Sequence, residues 1–216
     1  MVVELGRENS VLNAFIAEIR DEHVQKDPLR FRRNMERIGE VMAYEMSRTF
    51  DYTAREVTTP LGTAQMSVPS EQPVLATILR AGLALHQGLL NFFDRADNAF
   101  ISAYRKHRKG EDGFDIEVEY LSSPSLEDRT LVISDPMLAT GRSMVMVHRA
   151  LQRMGKPKAL HIVSTIASTE GIEHVKTHLP ANTRIWVAAI DEEMTAQAYI
   201  VPGLGDAGDL AFGNKI

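Results

Sequence analysis

Residues Thr130–Ser143 read TLVISDPMLATGRS, and the order of residue types within them decides the fold. An apolar, β-prone run, Thr130–Ser134, passes directly into Asp135-Pro136, then into Ala139-Thr140-Gly141-Arg142-Ser143. A helical pattern over Ser143–Met154 follows, and Gly155 supplies its stop signal. Four further runs share the character of that strand: Val74–Leu79, Ala99–Ala103, Leu160–Ile166 and Arg184–Ile190. Each is apolar nearly throughout rather than alternating, as expected of parallel strands covered on both faces. Helical segments, of which Thr169–His178 is another, separate several of these runs. The expected fold is therefore α/β, with a mostly parallel central sheet flanked by helices.

Outward from this centre, the first fifty residues read as helical. Leu12, Phe15, Ile16 and Ile19 follow helical spacing within Val11–Lys26. Asp27-Pro28 is a good helix start, and Phe31, Met35, Ile38, Val41, Met42 and Met46 form a second apolar stripe. The methionines read as core filling. Val57–Pro73 holds three prolines and a glycine and predicts a loop or a small strand pair. Arg105–Asp128 is polar, yet Ile116, Val118 and Tyr120 alternate with Glu117 and Glu119, which predicts a half-exposed β-hairpin flap. With no internal repeat and no dividing linker, residues 1–216 are expected to form one domain.

Composition removes whole classes of function. The chain lacks cysteine, which excludes disulfides, thiolate metal sites and thiol catalysis. Its formal net charge of −5 argues against a dedicated nucleic-acid binder. MVVELGRENS lacks the basic and apolar segments of a secretory leader, and no apolar run approaches the ~20 residues that span a bilayer. A cytoplasmic protein without membrane partners is expected.

The chemistry lies at the strand ends. A loop beyond the carboxyl end of a parallel strand, opening a helix, offers free backbone N–H groups and a positive dipole end. Gly141 lets the backbone curl around an anion, Thr140 and Ser143 add hydroxyls, and Asp135 can accept from sugar hydroxyls. Taken alone, the loop reads as a site for a phosphate plus a polyol. Tyr199–Phe212, YIVPGLGDAGDLAF, is a glycine-rich loop with Asp206 and Asp209 and suits a flat ligand read by backbone groups. Its Gly203, Gly205 and Gly208 fit the dinucleotide fingerprint, but only eight residues follow Gly208, too few for a crossover helix and a second strand. Arg80 ends an apolar run before Ala81-Gly82, and Tyr104 precedes Arg105, Lys106, His107, Arg108 and Lys109, a run that suits a polyanion. His174 and His178 have metal-ligand spacing without an evident third ligand, so they read as surface histidines.

Asp135–Gly141, DPMLATG, resembles the phosphoribosyl pyrophosphate (PRPP) motif of type I phosphoribosyltransferases, in its uracil-specific branch. Tyr199–Gly213 resembles that branch's uracil-recognition segment, and Ile78–Gly82 its ILRAG segment. The chain departs from the pattern in three ways. Pro136 stands where most members carry a second acidic residue, Arg142 stands where a glycine is usual, and Ala84-Leu85 replaces Gly-Met. The resemblance implies transfer of phosphoribose from PRPP to uracil, giving UMP and pyrophosphate, in pyrimidine salvage. It implies PRPP binding by Arg80, Arg105, Asp135, Pro136, Met137, Leu138, Ala139, Thr140, Gly141, Arg142, Ser143 and Asp206. Uracil binding falls to Ile200, Gly205, Asp206 and Ala207, within a base-binding hood over 196–216. Asp135, Asp206 and Arg105 are the implied catalytic groups. Mg²⁺ is expected to be held mainly through PRPP, without protein metal ligands. A homodimer or higher homo-oligomer is implied, with GTP activation confined to some members. Two competing readings keep the fold and change its use. One is a pyrimidine sensor that binds UMP or RNA, and the other is a degenerate homologue without turnover.

Overall fold

The computed structural model describes residues 1–107 and 114–215, and over 103–107 and 114–117 it describes the backbone alone. In chain order the elements are β1 (Val2–Glu4), α1 (Val11–Arg20), α2 (Pro28–Ser47), β2 (Tyr52–Thr59), β3 (Gly62–Pro69), β4 (Val74–Leu79) and α3 (Leu83–Phe92). There follow β5 (Asp97–His107), β6 (Phe114–Ser122), β7 (Thr130–Ser134), β8 (Met137–Leu138) and α4 (Arg142–Leu151). The chain continues with β9 (Ala159–Ser168), α5 (Thr169–His178), β10 (Arg184–Asp191), β11 (Glu193–Met194), β12 (Ile200–Val201) and α6 (Ala207–Phe212).

The central sheet runs β1-β10-β9-β7-β4-β5-β6, and every pairing is parallel except β5 with β6. Its apolar runs divide residue by residue between two faces. Leu75, Val132, Val163 and Trp186 point into a core closed by α1, α2 and α3. Their neighbours Ala76, Ile133, Ile162 and Ile185 point into a second core beneath α4 and α5. Each strand is thus apolar on both sides because both sides are covered, the condition that removed alternation from its sequence.

The parallel sheet and its flanking helices were legible, and the differences have local causes. The first helix is shorter than Val11–Lys26. α1 ends at Arg20 because the Asp21 carboxylate accepts from the N–H groups of His23 and Val24, at 2.8 and 3.1 Å, and draws the chain into a separate turn. The helical start is preceded by β1, which pairs with β10 at the sheet edge. The small strand pair begins earlier than Val57. β2 and β3 form an antiparallel arm from Tyr52 to Pro69 whose tip residue Leu61 is 99% exposed. The β-hairpin flap is β5 with β6, and its first strand extends the one expected over Ala99–Ala103. Gly155, with φ 125°, ends the turn that follows α4.

Candidate active site

The loop after β7 is held to the sheet by backbone bonds. The Asp135 N–H donates to Val163 O at 3.1 Å, and Pro136 O accepts from Thr165 and Ile166 N–H at 3.1 and 3.0 Å. Met137 and Leu138 then pair with Ile166 and Ala167 as β8. The Ser168 hydroxyl donates to Ala139 O at 2.5 Å while accepting from the Gly171 N–H at 2.8 Å, which ties the loop to the start of α5. Gly141 is the N-cap of α4, with φ 71°, and a Cβ there would lie 2.7 Å from Gly171 O. Only glycine fits both the left-handed backbone and that approach. Gly141 supplies no capping side chain to α4, and the Arg142 N–H reaches the Thr140 hydroxyl only at 3.5 Å, so the helix start is weakly capped.

The opposite wall is a small hairpin. β11 pairs antiparallel with β12, and the turn between them is closed by Thr195 N–H to Tyr199 O at 2.8 Å and Ala198 N–H to Thr195 O at 2.9 Å. Ala198, at φ 64°, occupies the left-handed region without being glycine, and Ala198, Tyr199 and Ile200 line the cavity. Beyond Gly203 the chain turns through Gly205 to Asp206, which caps α6 by accepting from the Asp209 N–H at 3.0 Å.

Between these walls lies a cavity of about 220 Å³. It joins a wider cleft of about 720 Å³, and Asp135, Ser143, Ala198, Tyr199, Asp206 and Lys215 border both. Burial pushes the Asp135 carboxyl up to about 7, against the pull of the Met137 N–H. Arg80 lines the wider cleft. Its guanidinium is not free there: it pairs with Asp209 at 2.7 Å and donates to Phe212 O and Gly213 O at 3.2 and 2.6 Å.

The structure brings together most of the residues singled out from the sequence. Asp135 to Gly141, Ser143, Ile200, Gly205, Asp206 and Ala207 all line the smaller cavity. Arg80 stands one chamber away. Arg142 is the exception: it opens α4 with an exposed side chain that does not border either chamber. The side chains of Arg105 and Lys106 lie outside the described residues, as do Arg108 and Lys109 entirely. His174 and His178 stack at 4.1 Å on α5, and among the described residues no three metal-ligating side chains converge. His148 and His161 are buried, and His161 accepts from Trp186 Nε1 at 3.0 Å. The dinucleotide fingerprint starts after the two-residue β12 and ends inside the six-residue α6, without the βαβ unit that such a fingerprint needs. Two participants were missed. Lys215 borders both chambers, and nothing in its neighbourhood in the sequence marked it. Asp191, which is buried, and Arg20, which is half-buried, form an ion pair at the base of the hairpin, 171 residues apart in sequence.

No described helix is long and apolar enough to cross a membrane. Residues 7–214 match the family profile described as uracil phosphoribosyltransferase. A uracil phosphoribosyltransferase of Porphyromonas gingivalis is 56% identical over 215 residues, covering 100% of this chain and 99% of that one. One from Methanothermobacter thermautotrophicus is 40% identical over 189 residues, 87% of this chain and 85% of its own. A solved protein of Aquifex aeolicus shares the fold with a TM-score of 0.86 at 26% identity, over 99% of this chain and 98% of that one. A hypoxanthine phosphoribosyltransferase of Staphylococcus aureus, at 16% identity and a TM-score of 0.51 over 74% of each chain, shares the fold alone.

Proposed function

We propose a division of labour among the residues of this chain, which belongs to the uracil phosphoribosyltransferase family. The enzyme transfers the phosphoribosyl group of PRPP to uracil, giving UMP and pyrophosphate. In the reaction uracil N1 bonds to ribose C1′, the C1′–oxygen bond breaks toward pyrophosphate, and N1 gives up its proton. No covalent enzyme intermediate is needed, so the protein has to position the reactants and stabilise charge.

In this reading the loop 135–143 takes the 5′-phosphate on the open amides of α4 and on the Thr140 and Ser143 hydroxyls. Asp135 orients the ribose hydroxyls, for which it must be ionised. Arg80 and Lys215 take the pyrophosphate charge, and the family resemblance assigns Arg105 to the same group. The hood over 196–216 reads uracil through backbone groups of Ile200, Gly205, Asp206 and Ala207. Cytosine, with an amino group where uracil has a carbonyl, would set donor against donor there. Asp206 takes the N1 proton, directly or through water. The observation that carries the reading is that one cavity is walled by the loop from Asp135 and by the segment from Ala198 to Gly208.

Mg²⁺ fits this donor set as a companion of PRPP. Asp135 and Asp206 are the carboxylates bordering the cavity, Pro136 fills the position of a second acid, and a metal arriving with PRPP would neutralise pyrophosphate charge. A homodimer or higher assembly is the partner state we favour, supported by the exposed β2–β3 arm, and GTP activation belongs to the same proposal.

The test is formation of labelled UMP from uracil, PRPP and Mg²⁺. Asp206→Asn keeps an N-cap side chain and removes the charge, so the fold should persist while kcat falls by about 10²–10⁴. Full activity in that variant would remove Asp206 from the proton step.

A further inference from the structure

The hood hairpin leaves the sheet at Asp191, the last residue of β10, and returns at Gly203. The two ends are tied to each other and to a third element. The Gly203 N–H donates to Asp191 Oδ2 at 2.9 Å. Arg20, the last residue of α1, donates to both Asp191 carboxylate oxygens at 2.8 Å, and its Nη1 also donates to Gly203 O at 2.9 Å. Both backbone polar groups of Gly203 are therefore held by one ion pair. Asp191 is 7% exposed, and the Arg20 side chain 22%.

Geometry makes this tie a positioning device. Gly203 has φ 55°, and a Cβ there would overlap Ile200 O. Ile200 is buried, forms part of β12 and lines the cavity, so fixing Gly203 fixes the backbone that faces the base. The hairpin itself has few other anchors: its two strands are two residues each. A bidentate guanidinium–carboxylate pair has a rigid planar fork, which sets orientation as well as distance. Arg20 also sits where the C-terminal dipole of α1 favours a cation.

We infer that Arg20 and Asp191 are positioning residues for the base site: by closing the neck of the 192–202 hairpin they set the affinity for uracil without touching it. This rests on the proposed assignment of the hood to uracil. It adds that α1, distant in sequence, controls base recognition, and that the phosphate loop, on a wall anchored to β9, is insulated from it.

The experiment compares Arg20→Gln, Asp191→Asn and the milder Arg20→Lys by steady-state kinetics with each substrate varied in turn, beside thermal unfolding. For the first two, KM for uracil should rise between about tenfold and a hundredfold, the range for small misplacement of a binding wall. KM for PRPP should stay within about twofold of wild type, and Arg20→Lys should fall between, because an ammonium keeps the charge and loses the fork. Gly205→Ala, at a backbone of φ 93° within the hood, is the control on the underlying assignment. If it raises uracil KM while the Arg20 and Asp191 variants leave that constant unmoved, the positioning role is wrong. An equal rise in both substrates' KM, or a fall in stability alone, also overturns it. If Gly205→Ala leaves uracil KM unmoved, the hood assignment fails first, and this inference with it.

Discussion

The two walls of the cavity are built on different principles. The wall from Asp135 to Gly141 is an extension of the sheet: successive backbone groups bond to β9, β8 pairs with it, and Ser168 fastens the carbonyl of Ala139. The wall from Ala198 to Gly208 stands off the sheet on a short hairpin, secured at its neck by one ion pair and at its far end by Arg80 reaching Asp209 and the tail carbonyls. A phosphate is recognised by converging N–H groups, and a strand–loop–helix junction delivers these from contiguous residues. A flat heterocycle must be met on several edges, which requires a segment brought back from elsewhere in the chain. One wall is therefore local in sequence, and the other depends on contacts that span most of the chain.

The comparison can be broken from the phosphate side. Gly141→Val should have the largest effect. A β-branched residue at φ 71° is a steric outlier, and its Cβ would crowd Gly171 O. PRPP KM should rise about a hundredfold while uracil KM moves little, and a parallel rise in both would mean that the walls are mechanically one. A smaller effect is expected from Ser168→Ala, which removes the cap of α5 and the tie to Ala139. The lost cap is worth about 1 kcal/mol, and roughly 2–4 °C of Tm in a chain of this size. PRPP KM should rise several-fold, and thermal unfolding with kinetics reads both.

Asp135 sharpens the comparison through pH. Its folded-state pKa of about 7 lies above the ordinary 3.8, so the native state holds a proton that the unfolded chain has released. The stability it contributes is full below about pH 4 and is lost as pH rises through 7. Substrate binding should show the opposite trend, because the ionised form accepts from ribose hydroxyls: PRPP KM should climb as pH falls below 7. Asp135→Asn should flatten both profiles, and a profile unchanged by that substitution would take Asp135 out of the ribose site. The smallest effect is expected for Arg142→Ala. Its exposed side chain borders neither chamber, so PRPP KM should stay within about twofold, the scale of an ordinary surface substitution. A larger change would restore the arginine to the phosphate loop.

What could be read in the sequence follows the same division. Val74–Leu79 and Thr130–Ser134 announced themselves because burial on both faces leaves a strand apolar at most positions, without the alternation of a half-exposed one. Asp135–Gly141 was legible because its chemistry is contiguous. β1 was not, since three residues at a sheet edge carry no period of their own. The β2–β3 arm begins before the loop or small strand pair expected over Val57–Pro73 because its residues are mostly exposed, and neither hydrophobic alternation nor an apolar run marks its start. The pairing of Arg20 with Asp191 left no local trace: each looks like an ordinary surface charge until the fold brings α1 beneath the end of β10. Arg80 was found, but its present partners were not, because Asp209 and the carbonyls of Phe212 and Gly213 reach it only once α6 has folded back.

That last contact has a consequence for turnover. The two terminal nitrogens of Arg80 are already bonded to a carboxylate and two carbonyls before any polyanion reaches them, whereas its buried Nε has no partner among the described residues. In the proposed reading an arriving pyrophosphate group would bind those terminal nitrogens by exchange, displacing neighbours, and its net hold on them would be the difference between two sets of contacts. After the reaction the same neighbours stand ready to reclaim the guanidinium. On that proposal the affinity given up on entry would reappear as speed of departure, and a product with several negative charges would be handed off instead of retained.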